Sequence, residues 1–278
     1  MIQTMKPILL LTLFLSLIPM ACNGGQVEDK SIQYQKLTDV PNSVWQKLSS
    51  KKIYFGHQSV GYNILGGLQA LLKENLQIQL AIEENFDPES FKQGTIAHSR
   101  IGYNMYPKSK LDMFAFIAKS GGAAKADIMF FKFCYVDING KTDVKALFDA
   151  YKNTFEQLKS NHPHTTFIHM TAPLTTIQDG PKAWVKKILS RSLGGTVENS
   201  KRHEYNEMIR KTYSGKEPVL DIATIESTFP DGRRATFELN GKTYYHLVPE
   251  YTNDGGHLNE TGSKLVAEQL MLLLANSL

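Results

Sequence analysis

Residues 52–61 read Lys52-Ile53-Tyr54-Phe55-Gly56-His57-Gln58-Ser59-Val60-Gly61, and no other stretch constrains the fold as much. A short apolar run with a β-branched residue and two aromatics predicts a buried strand. Gly56, the polar His57-Gln58-Ser59 and Gly61 predict a tight turn. Ile64, Leu65, Leu68, Leu71 and Leu72 then recur with helical period. A serine in such a turn lies at the carboxyl end of a strand and the amino end of a helix. Unpaired amides and the positive end of the helix dipole there stabilise negative charge growing on a carbonyl oxygen. Ser59 is the candidate nucleophile. The plainer alternative is that it only caps the helix.

The far end of the chain bears on that choice. Asn253-Asp254-Gly255-Gly256-His257-Leu258-Asn259 precedes a predicted helix over 261–274. Asp three residues before His on a Gly-rich loop supplies the acid and base of a triad. The imidazole takes the proton from Ser59 and the carboxylate fixes the ring's tautomer. With a serine turn after the first strand and Asp-x-x-His before the last helix, the chain resembles the SGNH hydrolases, the GDSL-like esterases and lipases. Asp254 and His257 match that pattern residue by residue. Gly56-His57-Gln58-Ser59 departs from the family's Gly-Asp-Ser block by one extra residue, with His57 in place of the acid.

The 278 residues, 42% apolar and 21% charged, suffice for a sizeable core, and the expected organisation is one domain over 32–278. A net charge of +4 without a dense basic run disfavours nucleic acid as a partner. Residues 1–22 read as an export leader. Lys6 precedes an apolar run over 8–18, too short to span a bilayer as a mature helix. Leu17-Ile18-Pro19-Met20-Ala21-Cys22 resembles a bacterial lipoprotein processing site, which makes Cys22 the lipidated residue. Simple cleavage near Ala21 is the alternative. Residues 23–31 suit a tether. The expected protein is a monomer in the cell envelope, facing the periplasm or cell surface and touching the membrane only through the N-terminal lipid. With Cys22 lipidated, Cys134 has no disulfide partner.

Between the two ends, strands and helices alternate. Strands are expected at 78–82, 126–137, 165–171 and 218–222, and helices at 108–119, 143–160, 184–193 and 197–213. Five strands in alternation imply an α/β fold, a parallel doubly wound sheet in a three-layer α/β/α arrangement. The resemblance implies the flavodoxin-like order 2-1-3-4-5. Asn240-Gly241 between two apolar–polar runs predicts a β-hairpin inserted before the last helix, as a lid, a substrate wall or a simple insertion. His169 inside a strand reads as a core histidine.

The family places an oxyanion-binding Gly after its second strand, and Gly102 is the match, a plain loop glycine being the alternative. Asn104 offers a side-chain donor to the same oxygen, beside the Ser59 amide. The family's Gly-x-Asn-Asp block is absent: Lys132-Phe133-Cys134-Tyr135-Val136-Asp137 has no Asn. His57, Gln58, Tyr103 and Cys134 are the expected substrate-binding residues. Cys134 is otherwise inert strand packing. The expected activity is hydrolysis of a small acyl ester, such as O-acetyl on a glycan, with no cofactor. Transfer of the acyl group, an inactive glycan-binding module, and a metal site from His57, Asp254 and His257 are the rivals.

Overall fold

In the computed structural model, which describes residues 33–189 and 193–278, Lys52–His57 forms the central strand β1. The expected leader over 1–22 with Cys22, and the tether over 23–31, lie outside the described residues. Residues Gln33–Leu278 form a compact unit. Strand β1 is flanked by β3 (Thr95–Arg100) and β4 (Ile128–Phe131), both parallel to it. Beyond them lie β2 (Ala81–Glu84) on one edge and β5 (Thr166–Met170) and β6 (Val219–Leu220) on the other.

Side chains alternate across this sheet and divide the core in two. Ile53, Phe55, Ile128, Phe130 and Ile168 point to one face, where they meet α1 (Asn42–Leu48), α2 (Val60–Glu74), α8 (Ile222–Glu226) and α9 (Glu260–Asn276). Tyr54, Met129, Phe131 and Phe167 point to the other, against α3 (Pro107–Ile117), α5 (Val144–Asn161) and α7 (Thr196–Tyr213). A short turn, α4 (Ala123–Lys125), leads into β4, and α6 (Pro181–Ile188) follows β5. The result is a three-layer α/β/α fold with both sheet faces covered, as parallel sheets require.

The sheet has six strands instead of five. The missed strand is β3, which sits between β1 and the expected strand two. Its pattern is obscured because Thr95, His98 and Ser99 are buried polar residues. Partners satisfy two of them: Tyr54 Oη lies 2.6 Å from Ser99 Oγ and His57 Nε2 lies 3.1 Å from His98 Nδ1. The expected strand two, over 78–82, appears as β2 at the sheet edge, and β3 takes the expected place beside β1, while β1-β4-β5-β6 follow one another as the order 1-3-4-5 implies. β4 ends at Phe131, and its expected continuation to 137 instead turns, with a 3-10 turn at Tyr135–Asp137.

Two helices carry the ends of the site. Ser59 leads into α2 and His257 lies just ahead of α9, and these helices pack closely. A side chain at Gly67 of α2 would collide with the carbonyl of Ser263 on α9. The hairpin of β7 (Thr236–Leu239) and β8 (Lys242–Tyr245) forms where Asn240-Gly241 predicts it, with both turn residues at positive φ. It packs on α7, where the His203 ring lies 5.3 Å from Tyr244. His169 is fully buried between Tyr151 Oη (2.8 Å) and Glu217 (3.0 Å). Among the described residues no helix is long and apolar enough to cross a membrane.

Candidate active site

The turn after β1 places Ser59 with φ 51° and ψ −111°, a conformation that costs a non-glycine residue on the order of 1–3 kcal/mol. Its side chain makes no capping bond to α2, so the N-cap alternative fails. Ser59 Oγ instead lies 2.6 Å from His257 Nε2, a partner 198 positions away. His257 Nδ1 lies 2.6 Å from Asp254 Oδ2. The Asp254 Oδ1 atom accepts the backbone N–H groups of His257 (2.8 Å) and Gly256 (2.9 Å). Burial works against the Asp254 charge, but the His257 ring and these amides outweigh it and hold the carboxyl well below the usual range. Ser59, His257 and Asp254 thus stand in one hydrogen-bonded line, and the pair is open to solvent, with His257 and Asp254 side chains 41% and 56% exposed.

Gln58 locks this turn to the next one. Its amide nitrogen donates to the carbonyls of Ile101 (2.9 Å) and Gly102. Gly102 has φ +54°, and a Cβ there would collide with the Lys110 backbone, so only glycine fits. The N–H groups of Ser59 and Gly102 are bonded to no other group among the described residues. Asn104 lies two residues on. Its Oδ1 accepts from Lys110 Nζ at 2.7 Å, which leaves its amide nitrogen as the free donor. Gln58, Gly102, Tyr103 and Asn104 line a cleft of about 810 Å3, next in the chain to Ser59.

Two expected substrate contacts are corrected. His57 is fully buried, with its ring between Phe55, His98 and the edge of Tyr62. Gly61 leaves the space the ring needs. Burial, with Lys132, His98 and Arg100 adding to it, pushes the His57 pKa down to about 3, so the ring is neutral and structural. Cys134 is also fully buried, with its thiol 3.3 Å from the Gln58 carbonyl. It supports the serine turn from below. Neither residue can touch a substrate. Gln58 and Tyr103 do line the cleft. Among the described residues no cluster of His, Cys, Asp or Glu is arranged to hold a metal.

Several polar residues of the site escaped the sequence reading. Asp137 and Lys110 form an ion pair of 2.6 Å with both side chains 0% exposed. The same carboxylate accepts the N–H groups of Cys134 (2.6 Å) and Met105 (2.9 Å). One buried charge therefore ties the loop after β3 to the loop after β4. Tyr135 sets its ring edge-on to His257 at 5.5 Å and fills the space beside Gly256. From α7, the buried Arg202 donates to the carbonyls of Tyr135 (2.9 Å) and Ile138 (3.2 Å) and fixes that loop.

Glu226 is buried beneath the same edge. One of its oxygens accepts from the Leu174 N–H, and the other has no partner. Burial pushes its pKa up to about 8 against the pull of the Leu174 amide, Lys132 and Arg202. In the unfolded chain it titrates near the ordinary glutamate value of 4.5. Between these values the native state holds a proton that the unfolded state has lost, so this group makes stability fall as pH rises from about 4.5 to about 8. Glu226→Gln keeps the acceptor for Leu174 and removes the titration. Denaturant unfolding at pH 5 and pH 8 is expected to show the variant gaining on the wild type by at least about tenfold in unfolding constant. An equal difference at both pH values would refute the shift.

No protein-family model matches the chain, and no curated protein matches it. Solved structures do match in fold. A GDSL-like lipase from Bacteroides thetaiotaomicron aligns over 84% of this chain and 91% of its own, at 13% identity and a TM-score of 0.51. The chain thus has the α/β/α fold of a GDSL-like lipase. The periplasmic domain of a Salmonella ser. Paratyphi A lipopolysaccharide acetyltransferase aligns over 80% of this chain and 83% of its own, with 12% identity and a TM-score of 0.44. A carbohydrate esterase family 3 protein from Talaromyces cellulolyticus aligns over 82% and 98%, with 12% identity and a TM-score of 0.40.

Proposed function

We propose that the protein is a serine hydrolase of small acyl esters. The observation that carries this is the line from Ser59 Oγ through His257 to Asp254, with 2.6 Å at each step. The Ser59 hydroxyl proton passes to His257 Nε2 as Oγ bonds to the acyl carbon. The carbonyl oxygen becomes an anion held by the Ser59 and Gly102 amides and the Asn104 side chain. The bond to the alcohol oxygen breaks, and His257 gives that oxygen its proton. Water then attacks the acyl-serine, His257 takes its proton, and Ser59 leaves with it. Asp254 accepts the Nδ1 hydrogen throughout and stays ionised.

The solvent-open triad favours water over an alcohol acceptor, hence hydrolysis over transfer. The assembled line also argues against an inactive binding module. An O-acetyl glycan of the cell envelope fits an enzyme exported through 1–22 and tethered at Cys22. The test is turnover of a short-chain aryl acetate, together with covalent labelling by a fluorophosphonate located by mass spectrometry. A label on Ser59 is expected. A folded protein with neither turnover nor label would sink the reading.

Asn104 takes the place of the missing Asn. Asn104→Ala is expected to lower kcat about 100-fold to 1,000-fold while KM barely moves, because the donor acts on charge that develops in the transition state. Steady-state kinetics on the aryl acetate check this, and an unchanged kcat leaves the two backbone amides as the whole oxyanion site.

A further inference from the structure

Tyr106 separates two clefts. The first, about 810 Å3, is the one beside Gln58 and Asn104. The second, about 690 Å3, runs on past Met105 to Asn139 and Ala146, and both clefts include Tyr106 and Ser109 in their walls. Tyr103 and Tyr106 are 74% and 70% exposed, far more than large aromatic side chains usually are. No aromatic ring among the described residues stacks on either.

The turn that carries these rings is fixed. The Tyr103 N–H donates to Ser109 Oγ at 2.8 Å, and that hydroxyl donates to the Tyr106 carbonyl at 2.6 Å. The Met105 N–H donates to the buried Asp137 at 2.9 Å, and Met105 takes φ 69° to close the turn. Such anchoring holds two apolar rings in water with little conformational freedom left to lose on binding. In the second cleft apolar residues such as Ala146 and Ala150 lie among Asp112, Asn139 and Thr142. A flat ligand with an apolar face and hydroxyl-bearing edges matches rings and polar groups together. A sugar ring has that chemistry. A long acyl tail would meet charged groups and open water in the same place.

We propose that the two clefts form one groove for an oligosaccharide chain of several units, with Tyr106 as the stacking ridge between subsites. This deepens the hydrolase reading, on which it rests only for the unit presented to Ser59. It makes the substrate an acylated oligomer or polymer and not a free small ester.

Isothermal titration of the full chain with ladders of xylo-, manno- and N-acetylglucosamine oligosaccharides, from one to six units, tests the groove without any turnover. At least one ladder is expected to bind tenfold or more tightly at four units than at one. Tyr106→Phe keeps that gain, since the ring remains. Tyr106→Ala loses it, and so does Ala146→Trp, which fills the second cleft from an exposed position. No length dependence in any ladder, or a gain that survives Tyr106→Ala, overturns the proposal. Faster turnover of an aryl octanoate than of the acetate, abolished by Ala146→Trp, overturns it in favour of an acyl-chain site. A protein that binds a ladder but hydrolyses no ester would refute the hydrolase and leave the groove standing. Aryl acetate turnover without ladder binding would do the reverse.

Discussion

Ser59→Ala is expected to lower kcat on an aryl acetate by about 10,000-fold or more and to abolish fluorophosphonate labelling. Loss on that scale follows if Ser59 is the nucleophile, because the one thiol near it among the described residues, Cys134, is buried beneath the turn and faces the Gln58 carbonyl. Cys134→Ala is the control that separates the two, and it should keep the label. Stability supplies a second, independent readout. Ser59 sits at φ 51° and makes no capping bond, so its side chain strains the turn and gives no local compensation. Ser59→Gly relieves that strain and is expected to unfold at higher denaturant than wild type, by about 1 kcal/mol, while remaining inactive. A serine kept only to cap α2 would give the opposite result, with Ser59→Gly no more stable and still active. Retained activity in Ser59→Gly removes Ser59 from the mechanism, and the absence of any stabilisation removes the strain.

How far the sequence reveals this site depends on the range of the interactions. Asp254 and His257 are legible because their bonds are local: the carboxylate reaches the His257 ring and amide and the Gly256 amide within one turn of chain. Ser59 is legible because strand, polar turn and helix follow one another in sequence. The parallel α/β architecture is legible from alternation and the strand order only from the family resemblance, while β3 hides behind His98 and Ser99, whose partners on β1 cannot be read from β3 alone. His57 and Cys134 carry the right chemistry in the right segment, yet both point into the protein. Nothing in a single sequence tells a buried polar side chain from one lining a cleft. Arg202, Glu226, Lys110 and Asp137 escape for the converse reason. Charged residues are rarely buried unless paired, and their partners here lie on other elements. Arg202, for example, bonds Tyr135 O from 67 positions away.

The Lys110–Asp137 pair is where that illegible layer has its largest expected effect. Both side chains are fully buried, and four separate bonds converge on them: Lys110 to Asp137 and to Asn104, and Cys134 and Met105 amides to Asp137. Asp137→Ala strands a buried ammonium and two amides at once, and is expected to cost about 3–5 kcal/mol in denaturant unfolding. Lys110→Met is milder, because Asp137 keeps its two backbone donors, and the methionine fills the stem's volume. That milder variant isolates the positioning role. Without the ammonium, Asn104 Oδ1 has no anchor, and the amide no longer presents its nitrogen in one orientation. Lys110→Met should therefore lower kcat nearly as far as Asn104→Ala, with KM little changed. Combining the two should lower it no further than the larger single effect. Groups acting through one another give such non-additivity, whereas independent contributions multiply. A double variant whose loss equals the product of the single losses would show that Lys110 acts independently of Asn104, and an unchanged kcat in Lys110→Met would show that the buried pair supports the fold alone. A shared, non-additive loss would instead show that the charge beneath the loop after β3 acts on the acyl oxygen through Asn104.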